Sequence, residues 1–359
     1  MTSKPLRPID ESKLHAFMGK AVEDLGATLN AALVMIGETL GLYKAMAGLG
    51  PVTPKQLAKA TSTNERYVRE WLCAQAAGGY VAYDAATERF ELPPEQAAAL
   101  ADESSPMYLP GAFQIASSVI HDQPKMNEAF RSGAGVPWHD HHPGLYEGTE
   151  RFFRPNYLGH LVKEWIPALD GVEDKLKAGA TVADVGCGHG ASTIIMAQAY
   201  PKSRFRGFDY HARSIEWARA AATGAGVGDR VDFEVARAQE YPGDRYDFVA
   251  FFDCLHDMGD PVGAAAHVRD SLDSDGSWMV VEPNAGDRIE DNLTPVGRVF
   301  YSASTLICTP AAMAQGGRMT LGAQAGESRL RDVITKGGFP HVRRAAETPF
   351  NMVLEARLA

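Results

Sequence analysis

Two stretches carry residue types that could do chemistry. In the first, an apolar run ends in Gly186, Gly188 and Gly190, and a helix-like segment starts at Ser192. Glycines let a backbone turn sharply and come close to a ligand, because no Cβ intervenes. The free N–H groups of the following helix add a weakly positive end. A buried strand, a tight turn and a helix start together suit a nucleotide-like cofactor. In the second stretch, the apolar run Tyr246 to Phe252 leads into Asp253-Cys254-Leu255-His256-Asp257-Met258. An imidazole such as that of His256 can exchange a proton near neutral pH. Ligands of open α/β sheets sit beyond the carboxyl ends of strands, so Phe252 and Asp253 are expected to line the same pocket. Asp209, at the end of a third apolar run, could accept hydrogen bonds from two ribose hydroxyls, or could instead cap the next helix. Gly186, Gly188 and Ala191 also satisfy the dinucleotide pattern G-x-G-x-x-A, so the glycines by themselves leave an NAD(P) oxidoreductase open.

These residues need a frame. From Thr181 onward the pattern alternates strand and helix, with strands at 205–208, 231–236, 246–252 and 277–282 and a closing pair at 340–346 and 351–358. Before it come helices at 11–25 and 27–49, a short helix opened by Thr53-Pro54, a longer one at 65–77, and two short strands around the polar turn 84–88. Helix, helix and hairpin make a winged helix-turn-helix. Its candidate recognition helix mixes signs (Glu65, Arg66, Arg69, Glu70) where phosphate contact needs a basic face, so a dimerisation role is preferred over DNA binding. Between the two parts lie broken helices from Pro106 to Gly135, a loop to Gly148, and an amphipathic run from Glu150 to Leu169. The loop holds Trp138-His139-Asp140-His141-His142. His and Asp ligate metals, but ligands packed so tightly in sequence rarely converge, so a pocket wall or surface loop is expected and no metal is assigned.

Bulk properties narrow the setting. The 359 residues suffice for about two domains. A hydrophobic share of 45%, a charged share of 22% and a net charge of −10 describe a soluble globular chain without general affinity for nucleic acid or anionic membrane. The opening residues MTSKPLRPIDESKL lack a signal-peptide core, and no apolar run is long enough to span a bilayer. Cys73, Cys187, Cys254 and Cys308 are widely spaced, which argues against a zinc site or disulfide framework and fits a reducing cytoplasm.

The cofactor stretch resembles the loop of class I S-adenosylmethionine (SAM) methyltransferases, D/E-x-G-x-G-x-G, through Asp184, Gly186, Gly188 and Gly190. Ile36-Gly37 through Leu42-Tyr43 matches the I-G-x-x-L-G-L-Y of bacterial and mycobacterial-type small-molecule (O-)methyltransferases, which place a winged-helix dimerisation domain before the SAM domain. The resemblance implies a Rossmann-like, seven-stranded SAM domain with an antiparallel last strand, preceded by a mainly helical winged-helix domain. The boundaries expected are 1–104 for the dimerisation domain, 105–175 for a helical lid and 176–359 for the SAM domain. It implies SAM as cofactor, S-adenosylhomocysteine (SAH) as product, a small-molecule acceptor and a homodimer through the first helices. Asp184, Gly186, Gly188, Gly190, Asp209, Tyr210, Ala238, Phe252 and Asp253 would bind the cofactor. The adenine-binding acid of many members is replaced by Arg237-Ala238-Gln239, which leaves backbone groups near Ala238 and possible help from Gln239. Leu255-His256-Asp257 matches the Leu/Cys-His-Asp-Trp of O-methyltransferases, whose His is the general base, with Met258 in place of Trp. The alternative for His256 is packing or capping the helix beside Asp260-Pro261. Methyl transfer to carbon, nitrogen or sulfur, and a SAM-sensing DNA-binding regulator, are the competing functions.

Overall fold

The computed structural model describes residues 8–317 and 319–359. Residues 1–7 of the opening stretch, and residue 318, lie outside them. The chain divides into two compact units, with the boundary after Ser117.

In the first unit α1 (Glu11–Thr39) is one long helix, N-capped by Asp10, whose carboxylate accepts from the Lys13 N–H. The expected break near Gly26 is absent, because that glycine sits on an open helix surface with nothing near it. The break falls instead at Gly41, in the left-handed region at φ +66°, and α2 (Leu42–Leu49) follows. The I-G-x-x-L-G-L-Y motif is thereby explained. A Cβ on Gly37 would lie 2.5 Å from the Trp71 ring, Gly41 makes the turn, and Leu42 and Tyr43 are buried. The Tyr43 hydroxyl donates to Gln75 Oε1 (2.6 Å), and Trp71 Nε1 donates to the Leu33 carbonyl (2.9 Å). Thr53 and Gln56 form a capping box on α3 (Pro54–Ala60), and Asn64 caps α4 (Glu65–Ala77). The wing is β1 (Ala82–Asp84) paired antiparallel with β2 (Arg89–Glu91), followed by α5 (Pro94–Leu100). On α4, Arg66 pairs with Glu70 and Arg69 lies 3.9 Å from Glu65.

After α6 (Pro110–His121), α7 (Gln123–Ser132) and α8 (Gly144–His160), a π-turn (Leu161–Trp165) and α9 (Val172–Ala178) lead into the sheet. Its strands are β3 (Thr181–Val185), β4 (Arg204–Asp209), β5 (Val231–Val235), β6 (Tyr246–Phe252), β7 (Leu272–Pro283), β8 (His341–Glu347) and β9 (Asn351–Arg357), in the order β5-β4-β3-β6-β7-β9-β8. Helices α10 (Ala191–Ala199), α11 (Ala212–Gly224) and α12 (Pro261–Ser271) join the parallel strands. Then α13 (Pro295–Ala303), a second π-turn (Ser304–Cys308), α14 (Thr309–Ala314) and α15 (Glu327–Lys336) precede the closing hairpin. The final strand β9 runs antiparallel to both of its neighbours, β7 and β8. This is the Rossmann-like methyltransferase topology expected above. Apolar side chains of the sheet bury on both faces, as strands covered by helices on two sides must. Among the described residues no single helix is long and apolar enough to cross a membrane.

Candidate active site

The carboxyl ends of β3, β4 and β6, three adjacent parallel strands, each carry an acid: Asp184, Asp209 and Asp253. The glycine loop lies over them. Gly186, Gly188 and Gly190 have φ of +77°, +52° and +80°, backbone that other residues rarely adopt. A Cβ on Gly186 would meet Cys254 Sγ at 2.7 Å, and one on Gly190 the Phe233 ring at 2.6 Å. A Cβ on Gly188 would meet nothing within 4 Å, so this glycine borders open space. Its N–H donates to Asp209 Oδ2 (2.9 Å), while Asp209 Oδ1 accepts from the His211 N–H (2.8 Å). Asp209 therefore braces the loop and the start of α11.

Asp184 is buried. Its Oδ2 accepts from the Ser192 and Thr193 hydroxyls at 2.6 Å each, and its Oδ1 has no partner among the described residues. Burial raises its pKa to about 6, against the opposing effect of the two hydroxyls. Burial also raises Asp209, and it raises Asp253 well above the carboxylate range, helped by the charge of Glu282. Asp253 sits in the left-handed region at φ +49°, a strained conformation for a residue with a Cβ. Its Oδ1 accepts from Asn351 Nδ2 (2.8 Å), Asn351 Oδ1 accepts from Asn156 Nδ2 (2.8 Å), and Asp253 Oδ2 is buried with no partner among the described residues. Three desolvated acids, two of them (Asp184 and Asp253) with an orphaned oxygen, fit a cofactor that brings positive charge. SAM, with its sulfonium and ammonium groups, meets that requirement, and the pyrophosphate of a dinucleotide would be repelled.

The other expected residues surround this edge. Phe252 is buried, and the Tyr157 ring packs on it at 5.1 Å. The Tyr210 phenol is pushed up by burial beside Asp209. Ala238 is half-buried against the core. Gln239 donates its amide to the Asp260 carbonyl (3.0 Å), so that group is engaged within the fold.

His256 lies in a 3-10 turn (Leu255–Asp257) and is buried. Its Nδ1 is 2.5 Å from Glu282 Oε2, and its Nε2 is 3.1 Å from Asp257 Oδ1. The other oxygen of Glu282 accepts from the Leu255 and His256 N–H groups (2.9 and 3.3 Å). Burial lowers the pKa of His256, but the carboxylates of Glu282 and Asp257 outweigh it and hold the imidazole well above 6.5. The helix after it is capped by Asp260, which accepts from the Gly263 N–H (2.9 Å), so His256 is not the cap. Glu282, Tyr157, Asn351 and Cys308 were not singled out in the sequence. An acid closing the apolar strand 277–282 was the available signal for Glu282.

In the Trp138–His142 segment His141 is buried and Trp138 half-buried, while His139, Asp140 and His142 are exposed. His141 Nδ1 lies 2.9 Å from Asp122 Oδ2, His142 stacks on His121 at 4.7 Å, and the Tyr146 hydroxyl donates to the Trp138 and His141 carbonyls.

Comparison with known proteins agrees with this geometry. Residues 28–102 match the model of a Rv2258c-like winged HTH domain, and residues 176–330 that of a methyltransferase domain. The chain is similar to the 27-O-demethylrifamycin SV methyltransferase of Amycolatopsis mediterranei, 31% identical over 160 residues, 44% of this chain and 47% of that one. The matched stretches span less than half the length of the curated relatives. Among solved structures, the mitomycin 7-O-methyltransferase MmcR has a TM-score of 0.69 at 20% identity, covering 97% of this chain and 100% of that one. Human N-acetylserotonin methyltransferase in complex with SAM has a TM-score of 0.68 at 13% identity, covering 99% of each. At these identities the likeness to the solved structures is one of fold. The chain therefore joins a winged HTH domain at 28–102 to a methyltransferase domain at 176–330, the arrangement of class I SAM-dependent methyltransferases that carry a winged-helix domain ahead of the SAM-binding fold.

Proposed function

We propose that the protein transfers the methyl group of SAM to a hydroxyl oxygen of a small molecule. The observation that carries this reading is the carboxyl edge of the sheet, where orphaned oxygens of Asp184 and Asp253 flank the glycine loop next to the buried His256–Glu282 pair. SAM supplies a methyl group activated by its sulfonium. Asp184, Gly186, Gly188, Gly190, Asp209, Tyr210, Ala238, Phe252 and Asp253 hold the cofactor, and orientation in an enclosed pocket supplies much of the rate. Glu282 takes the Nδ1–H of neutral His256, which leaves the Nε2 lone pair to accept the hydroxyl proton. The two carboxylates make Nε2 a stronger acceptor than free imidazole, with a smaller unprotonated fraction at neutral pH. Oxygen as the target is supported by the rifamycin and mitomycin relatives, both named for O-methylation. The test is SAH formation from SAM with a panel of hydroxylated, amino and thiol small molecules. Turnover confined to amines or thiols would overturn the choice of oxygen, and tight binding of NADPH without SAH would overturn the cofactor.

The working division is a dimerisation domain at 1–104, a helical lid at 105–175 and a SAM domain at 176–359, in a cytoplasmic homodimer. Support for the dimer comes from α1, where Met18, Val22, Leu25, Leu29, Ala32 and Ile36 are exposed at alternating spacings of four and three residues. That is the seam of a coiled coil, and a second copy of the helix covers it. The charge pairing of Arg66 and Arg69 on α4 supports this role over DNA binding.

A further inference from the structure

Helix α8 places a side chain at the cofactor edge that the methyl-transfer reading does not use. Tyr157 is buried, and its ring packs 5.1 Å from that of Phe252, the last residue of β6. Phe153 and Trp165 hold the same ring at 6.1 and 6.2 Å. The preceding residue, Asn156, is tied to Asp253 through Asn351 by two hydrogen bonds of 2.8 Å. Ring and backbone are therefore both fixed against the end of β6. A buried tyrosine hydroxyl ordinarily finds a partner, as those of Tyr241 and Tyr246 do. That of Tyr157 makes no hydrogen bond with the described residues. Burial raises its pKa well above the usual tyrosine value, so the phenol is neutral, and Asp184 near the end of β3 and Glu282 near the end of β7 add to the rise. Those two strands flank β6, so the phenol stands between the glycine loop and the partner of His256.

In methyl transfer to an oxygen whose proton goes to His256 Nε2, the methyl group lies between the glycine loop and that nitrogen. We propose that the Tyr157 hydroxyl oxygen receives the methyl group of SAM there, through C–H···O contacts that distinguish SAM from SAH. The inference rests on the methyl-transfer reading and names how that site tells cofactor from product. The sulfonium polarises the methyl C–H bonds, and a neutral phenol offers them oxygen lone pairs that no protein donor occupies. A desolvated setting strengthens this attraction between a cation and a dipole. Transfer removes both the methyl group and the positive charge, so SAH forfeits the contact. Tyr157 thereby aligns the methyl toward the acceptor and favours exchange of product for fresh cofactor. His256 Nε2 stays free to take the hydroxyl proton.

The test is calorimetry of the full-length protein with SAM and, separately, with SAH, for wild type and Tyr157→Phe. The phenylalanine keeps the ring packing and removes only the oxygen. SAM affinity should fall by about 2–5-fold, the weight of one such contact, while SAH affinity stays at the wild-type value. Equal loss for both ligands, or no loss for SAM, would overturn the proposal. A second measurement needs no variant: SAM labelled with 13C in its methyl group, bound to the wild-type protein. Nuclear Overhauser contacts from that methyl to a tyrosine ring are expected, and Tyr157→Phe should move them to a phenylalanine ring. Their absence from a wild-type complex that binds SAM removes the Tyr157 contact alone. Well-folded wild-type protein that binds neither SAM nor SAH strikes the methyltransferase reading itself.

Discussion

At the scale of single residues, the site works through groups whose ordinary solution behaviour is altered by burial. Asp184 has its pKa raised to about 6, above the value near 3.9 of an unfolded chain. Between those values the folded state binds more protons than the unfolded one. Through this group the cofactor-free fold therefore loses about 3 kcal/mol as pH rises from about 4 to 6, and regains it on acidification. A cationic cofactor favours the ionised carboxylate, so SAM affinity should fall as pH is lowered through about 6. Calorimetry from pH 5 to 7.5 measures this, and Asp184→Asn should flatten the dependence. His256→Ala should lower kcat by about 10²–10⁴-fold, the usual contribution of a general base, while SAH affinity stays near wild type. Retained turnover on the true acceptor would remove the base role.

At the scale of elements, the glycine loop separates two kinds of requirement. Gly190→Ala places a Cβ against the Phe233 ring in a left-handed conformation. It should cost about 1–3 kcal/mol of stability, read as a lowered thermal midpoint. Gly188→Ala shares the unfavourable φ but meets no protein atom. Its larger loss should appear in SAH affinity, because the added methyl enters the space left for the cofactor. The contrast between the two variants, stability against affinity, checks where the cofactor lies. The glycines and Asp184 were legible in the sequence because strand, turn and helix follow one another locally. Asn351 was not. It reaches Asp253 only because β9 inserts between β7 and β8, and strand order is a choice of the whole sheet.

At the scale of the whole molecule, two readouts apply. Leu25→Glu combined with Leu29→Glu puts like charges into the exposed α1 seam. Light scattering should then show a monomer where the wild type is a dimer, and an unchanged mass would remove the proposed assembly. Saturating SAH should raise the thermal midpoint of the SAM-binding fold, since about 100 Kd of ligand adds about 2.7 kcal/mol to the native state. A midpoint indifferent to SAH would contradict the cofactor assignment.

Local order along the chain was enough to establish the class of the protein. The apolar period of two changes to the helical period at a run of glycines, an acid precedes them, and an antiparallel strand pair closes the chain. Each is a short-range pattern written in consecutive residues. The chemistry around His256 was decided only by tertiary structure. Asp257 was legible as the next residue of the motif, but Glu282 and Cys308 come from a strand end and a π-turn far from His256 in sequence. No spacing rule links them, and Cys308 looks isolated when cysteines are read in order. Packing the second π-turn against the end of β6 puts its thiol beside the imidazole. Burial then changes what those carboxylates and that thiol can do, because desolvation depends on everything that surrounds them rather than on their neighbours in the chain.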